Sequence, residues 1–116
     1  MQTKSFKDLI VWQKSFLLVK ETYCLAKDFP REEIYSLSQQ MKRAAVSIPS
    51  NIAEGYGRRH QKEYKQSLSV AYGSLCELET QYLLSVELNF LKKSDVFDGL
   101  LKEVGSMLYR MLNPKI

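Results

Sequence analysis

From Tyr64 to Tyr82 the residues Tyr64, Leu68, Ala71, Leu75, Leu78 and Tyr82 follow one another at spacings of 4, 3, 4, 3 and 4, and the pattern runs on through Val86 to Phe90. A heptad sustained over that length folds as a helix with a single apolar seam. Such a seam is stable in water only when other helices cover it, so the chain is restricted to coiled-coil-like packing against antiparallel neighbours.

The rest of the sequence supplies the neighbours. Between Phe6 and Lys27, Leu9, Trp12, Phe16, Val19, Tyr23 and Ala26 recur at spacings of 3, 4, 3, 4 and 3, which predicts a first helix with this stripe buried. Phe29, Pro30 and Arg31 interrupt it. Pro30 suits the start of a second helix, with Glu32 and Glu33 in the first turn at its positive end. Ile34, Leu37, Met41, Ala44, Ile48 and Ile52 carry that helix forward, and Pro49 falls inside it. A proline there removes one backbone hydrogen bond and crowds the preceding turn, at a cost of roughly 3 kcal/mol in a regular helix. Ser47, Ser50 and Asn51 surround it and can bond to freed backbone groups, so a kink is the preferred reading and a complete break the second. Gly55 and Gly57 then permit the chain to leave the helix. Lys92 and Lys93 suit the negative end of the third helix. Ser94 is placed to cap a fourth, from about Asp95 to Leu112, before Asn113 and Pro114. Its apolar residues, from Val96 and Phe97 to Met111 and Leu112, cover more than one seam, so it either packs deeply between two others or joins a subunit interface. Ala71 and Gly73, with Ala44 and Ala45, offer small residues for close helix approach. The expectation is an all-α, antiparallel up-down-up-down four-helix bundle forming one domain over residues 1–116, its second helix kinked at Pro49.

Composition narrows the setting. No apolar run approaches the ~20 residues of a membrane span, and the opening MQTKSFKDLI lacks a leader's apolar segment, which makes the cytoplasm the expected location and leaves no membrane partner. Cys24 and Cys76 sit inside apolar patterns and read as buried reduced thiols rather than a disulfide or metal pair. The 17 Lys and Arg exceed the 13 Asp and Glu by four. The run from Met41 to Lys65 holds six of the cations (Lys42, Arg43, Arg58, Arg59, Lys62, Lys65) against Glu54 and Glu63, so it accounts for the whole excess.

Most catalytic constellations lack their residues. A bundle di-metal site needs Glu-x-x-His pairs, and the chain's one histidine, His60, has Gly57 three positions before it. As a general base His60 would stand among Arg58, Arg59 and Lys62 with only Glu63 to orient it, so it reads as an exposed loop residue. The glycines of EGYGRR follow a helix rather than opening one after a strand, which removes the context of a phosphate loop. Glu77 and Glu79, two apart, do not share a helix face. Glu54 reads as half-buried, capping backbone near Asn51 or pairing with an arginine. These readings leave no catalytic residue, no metal site and no cofactor. Arg58, Arg59, His60, Lys62 and Lys65, with Tyr56 and Tyr64 interleaved, combine phosphate-neutralising charge with rings able to stack on unpaired bases. A solvated, solubilising face is the competing reading, and Tyr64 holds a heptad position that suits the core. Lys42 and Arg43, about four turns earlier, either extend this surface or lie elsewhere.

The segment SIPSNIAEGYGRR at 47–59 resembles the four-helix bundle family encoded by intervening sequences in bacterial 23S ribosomal RNA genes. FKDLIVWQKS at 6–15, FPREEIYSLSQQMKRAA at 29–45 and AYGSLCELETQ at 71–81 extend the resemblance over nearly the whole chain. Ser36 stands where the family usually has glycine, and Lys42 where it commonly has arginine. The resemblance implies a homopentameric ring around a central channel, without catalytic residues or a cofactor. It is also similar to a pentameric accessory protein of diversity-generating retroelements that binds nucleic acid and a reverse transcriptase. Of the basic positions, it carries over Lys42, Arg43, Arg58 and Arg59. The function expected is a non-enzymatic oligomer that binds RNA or DNA through Lys42, Arg43, Arg58, Arg59, Lys62 and Lys65. The alternative is a scaffold for a partner protein with no nucleic-acid binding.

Overall fold

A computed structural model describes residues 4–115. The ends of the expected 1–116 domain, and Met1 to Thr3 of the stretch read as carrying no leader, lie outside the described residues. The described chain is all-helical: α1 (Ile10–Ala26), α2 (Leu37–Arg58), α3 (Gln61–Glu87) and α4 (Asp95–Leu112), with single 3-10 turns at Phe6–Asp8 and Arg31–Glu33. Each helix packs on the next and α4 returns to α1, giving a four-helix bundle around one core. Its centre is Leu18 from α1, Ala45, Ile48 and Ile52 from α2, Ala71 and Leu78 from α3, and Phe97, Val104 and Leu108 from α4, all fully buried.

The first helix corrects the sequence reading. Its buried spine is Val11, Ser15, Leu18 and Thr22; of the expected seam, Leu9, Trp12, Val19 and Ala26 pack against the core from partly buried positions, whereas Phe16 and Tyr23 are 48% and 45% exposed. Two of the four spine residues are hydroxyls that bond back to their own helix. Ser15 Oγ donates to the Trp12 carbonyl (2.9 Å) and Thr22 Oγ1 to that of Leu18 (2.8 Å). A hydroxyl satisfied in this way can enter a core without an unpaired polar group. The aromatic stripe is displaced to the flank that faces α2, where Lys42 Nζ stands 5.0 Å from the centre of the Tyr23 ring.

The second helix starts later than expected. Pro30 precedes the 3-10 turn Arg31–Glu33, Ser36 is the N-cap of α2 without a side-chain capping bond, and Ile34 lies exposed before it. α2 then runs through Pro49 without the complete break weighed above. Asn51 Nδ2 donates to the Ser47 carbonyl (2.8 Å) and to Ser47 Oγ (3.0 Å), and Ser47 Oγ meets Ser74 Oγ of α3 at 2.8 Å. The polar side chains around the proline thus tie α2 to itself and to α3.

Nor do the glycines end the helix. α2 continues past Gly55 and Gly57 to Arg58, and the residue in the left-handed region is Arg59, at φ 61°. Gly55 serves packing instead: a Cβ there would lie 2.5 Å from Ser67 Cβ and 2.9 Å from its Oγ. The backbones of α2 and α3 approach closely at this point. Ala44, Ala45 and Ala71 are buried as expected for a close approach, but Gly73 is exposed and a Cβ there would meet nothing within 4 Å.

The last two helices follow the sequence closely. α3 ends at Glu87, where Asn89 takes φ 64° and the Phe90 and Asn89 amides bond to the carbonyls of Ser85 (2.9 Å) and Val86 (3.0 Å), a Schellman closure. Ser94 Oγ accepts from the Phe97 amide (3.1 Å), so α4 opens where its cap was read. Phe97, Leu100, Leu101, Val104 and Leu108 are buried between α1 and α3, which favours deep packing for most of the broad face; Val96 remains 61% exposed. Tyr82 joins the two helices. Its ring is 4.5 Å from that of Phe97, and its hydroxyl accepts from the Ser94 amide at 2.8 Å.

Candidate nucleic-acid interface

Only Arg59 and His60 separate α2 from α3. The left-handed backbone at Arg59 turns the chain out of one helix, and extended His60 (φ −119°, ψ 130°) starts it into the next, with its carbonyl accepting from the Tyr64 amide at 2.8 Å. So tight a corner leaves its side chains no interior to enter. Arg58, Arg59, His60, Lys62 and Lys65 are all exposed at this end of the bundle.

Glu54 and Glu63, which line a cavity with Arg58, offset part of the charge. Arg58 Nη2 lies 3.6 Å from Glu54 Oε1, an i,i+4 pair with both side chains more than half exposed, and such pairs contribute at most about 1 kcal/mol. Glu54 therefore has an arginine partner, as one reading held, but it is exposed rather than half-buried. Tyr56 and Tyr64 meet edge to face, centroids 6.1 Å apart and planes at 84°. Tyr64 packs against the core from a half-buried position, and this burial, with Tyr56 beside it, raises its phenol above the ordinary value of 10.0. A surface cavity of about 370 Å³ opens beside the two rings, lined by Lys4, Gly55, Tyr56, Arg59, His60, Gln61 and Tyr64.

The six basic positions do not form one patch. Arg58, Arg59, Lys62 and Lys65 gather at the corner. Lys42 and Arg43 belong to the same unbroken α2, about 24 Å back along its axis at 1.5 Å per residue, and Lys42 is half-buried against α1. Lys4, from before α1, is a cation at the corner cavity that the sequence did not single out; only a fold could bring it there.

Elsewhere the side chains offer little chemistry. Among the described residues no three His, Cys, Asp or Glu stand close enough together to hold a metal ion. Cys24 and Cys76 are free thiols, and both are exposed rather than buried, since each occupies the outer side of a helix whose inner side carries the core. Glu77 and Glu79 are exposed. No helix among the described residues is long and apolar enough to cross a membrane. The displaced stripe of α1 forms one wall of a groove of about 330 Å³, with Trp12, Phe16 and Val19 facing Val46, Pro49 and Ala53 of α2.

A family model described as 23S rRNA-intervening sequence protein matches residues 7–110, from the turn before α1 to the last residues of α4. The chain belongs to that family. No curated protein matches the sequence. For a 23S rRNA-intervening sequence protein, the basic corner is thus part of a bundle matched across all four of its helices.

Proposed function

We propose that this 23S rRNA-intervening sequence protein is a non-enzymatic cytoplasmic bundle that binds structured RNA through its basic corner and assembles as a homopentamer. The four helices then run up-down-up-down, with α2 bent at Pro49. The observation that carries the reading is the concentration of exposed Arg58, Arg59, Lys62 and Lys65 on and beside the two-residue turn between the longest helices. Lys42 and Arg43 would act as outlying contacts. Fivefold repetition turns the formal excess of +4 per chain into about +20 per ring, so that contacts too weak singly become useful together.

The test is binding of the purified protein to labelled structured RNA and to duplex DNA across a salt series, with mass in solution recorded on the same sample. Affinity that falls steeply with salt, and is lost in the Arg58→Gln, Arg59→Gln, Lys62→Gln variant, supports phosphate contact at the corner. Unchanged binding in that variant sinks the reading. The exposed apolar groove between α1 and α2 favours a second reading, a scaffold that docks a partner protein. A ring that binds neither nucleic acid at moderate salt would move the search there.

A further inference from the structure

We propose that the cavity at the α2–α3 corner receives one unpaired nucleotide of a single strand, its base against Tyr56 and Tyr64 and its flanking phosphates on Lys4 and Arg59. The inference rests on the nucleic-acid reading above and specifies which form of nucleic acid the corner takes. Three observations converge on it.

Charge and aromatic surface coincide here. The cavity walls include both tyrosines together with Lys4, Arg59 and His60, while Arg58 lines a separate cavity with Glu54 and Glu63. The α1–α2 groove is comparably aromatic, but among the described residues Lys20 is the one cation in its wall. A phosphodiester strand needs both kinds of contact at one place: cations for its backbone, and a ring for a base that has left its stack.

Size and shape also discriminate. A cavity of about 370 Å³ takes one small organic group rather than a groove-filling element. Duplex keeps its base faces inside the stack and presents two phosphate rails, so Tyr56 and Tyr64 would add nothing to its binding. The cations named at the corner are those of the eight-residue stretch Arg58 to Lys65, together with Lys4 in the cavity wall. Few phosphates can be neutralised there at once. For three or four contacts, single-strand binding should show a log–log salt slope of about −2 to −3.

The experiment compares one mixed-sequence 12-nucleotide RNA, the same strand annealed to its complement, and the single-stranded DNA of that sequence, each fluorescently labelled. The expected result is single-strand affinity at least roughly tenfold above duplex, a loss of about tenfold in Tyr56→Leu, and retention in Tyr56→Phe. Arg59→Asn, which suits the left-handed backbone and removes the charge, should weaken all three probes. Photocrosslinking of a 4-thiouridine-substituted strand should map to the segment containing Tyr56 and Tyr64, without requiring any variant to fold. Equal RNA and DNA single-strand binding assigns the site to the shared base and phosphate chemistry; an RNA preference adds the 2′-hydroxyl. Duplex binding equal to or tighter than single strand overturns the inference while leaving the nucleic-acid reading in place. Single-strand binding that is indifferent to Tyr56→Leu and crosslinks elsewhere overturns it too. Binding of no probe removes both.

Discussion

Gly55 shows how much one missing atom can hold. In a helix interior, glycine is about 1 kcal/mol less favourable than alanine, so its presence in α2 needs a cause. That cause is Ser67: a Cβ on Gly55 would stand 2.5 Å from the Ser67 Cβ, which is fixed to the α3 backbone and cannot swing aside. Gly55→Ala should therefore destabilise the bundle by about 1–3 kcal/mol, the overpacking cost exceeding the propensity gain. Gly73 makes the control. It is equally helical, yet a Cβ there meets nothing within 4 Å, so Gly73→Ala should stabilise by about 0.5–1 kcal/mol. Urea titration of the two variants beside the parent reads both. A stabilised Gly55→Ala would mean that α2 and α3 do not approach closely at this turn.

Among the elements, those whose boundaries rest on local chemistry were legible and those set by distant packing were not. Ser94 announces the start of α4, whose reading from Asp95 to Leu112 matches its bounds, and the apolar heptad from Tyr64 to Phe90 marks α3 to within three residues at each end. The spine of α1 was hidden because Ser15 and Thr22 look like surface residues until their hydroxyls are seen bonded to their own helix. Gly55 and Gly57 suggest an exit from α2 because glycine most often marks one, while the demand Gly55 answers comes from Ser67 on another helix. At the site, the sequence showed which charges cluster, but not that Lys4 joins them or that Lys42 and Arg43 stand apart. The α3–α4 joint yields a pH prediction. Burial raises the Tyr82 phenol above 10.0, opposed by the bond from the Ser94 amide and reinforced by Asp98. Because the folded pKa is the higher one, the folded state holds its proton more tightly. Stability is then full below about pH 10 and falls as pH rises through the folded pKa. Tyr64 shifts in the same direction, so Tyr82→Phe should remove only part of the alkaline loss. At neutral pH it should cost about 1 kcal/mol, because the Ser94 amide loses its acceptor. Thermal melts from pH 7 to 11 measure both effects, and an unchanged alkaline profile in Tyr82→Phe would show that the phenol is not the titrating group.

For the whole molecule, the question is what covers the face that its own core leaves open. Phe16 of α1 and Val46 of α2, which line the α1–α2 groove, are each more than 40% exposed, an apolar surface of the kind that marks interaction sites. A closed ring uses heterologous contacts, in which one face of each subunit meets a different face of the next, so a lesion on a single face breaks every contact in the ring. If this groove is one of the two faces, Phe16→Glu places a charge at all the joints at once. The isolated bundle should stay folded, because Phe16 lies outside the buried spine of Val11, Ser15, Leu18 and Thr22, and the loss of its ring contact with Trp12, centroids 5.1 Å apart, costs about 1 kcal/mol. Sedimentation and circular dichroism on one sample separate the two effects. The expected outcome is a fall in mass to a single chain with the helical signal and melting cooperativity intact. A ring that persists in Phe16→Glu would leave the groove uncovered in the assembly and move the joint to another face. A parent protein that is already monomeric would remove the ring and, with it, the multivalency on which weak corner contacts depend.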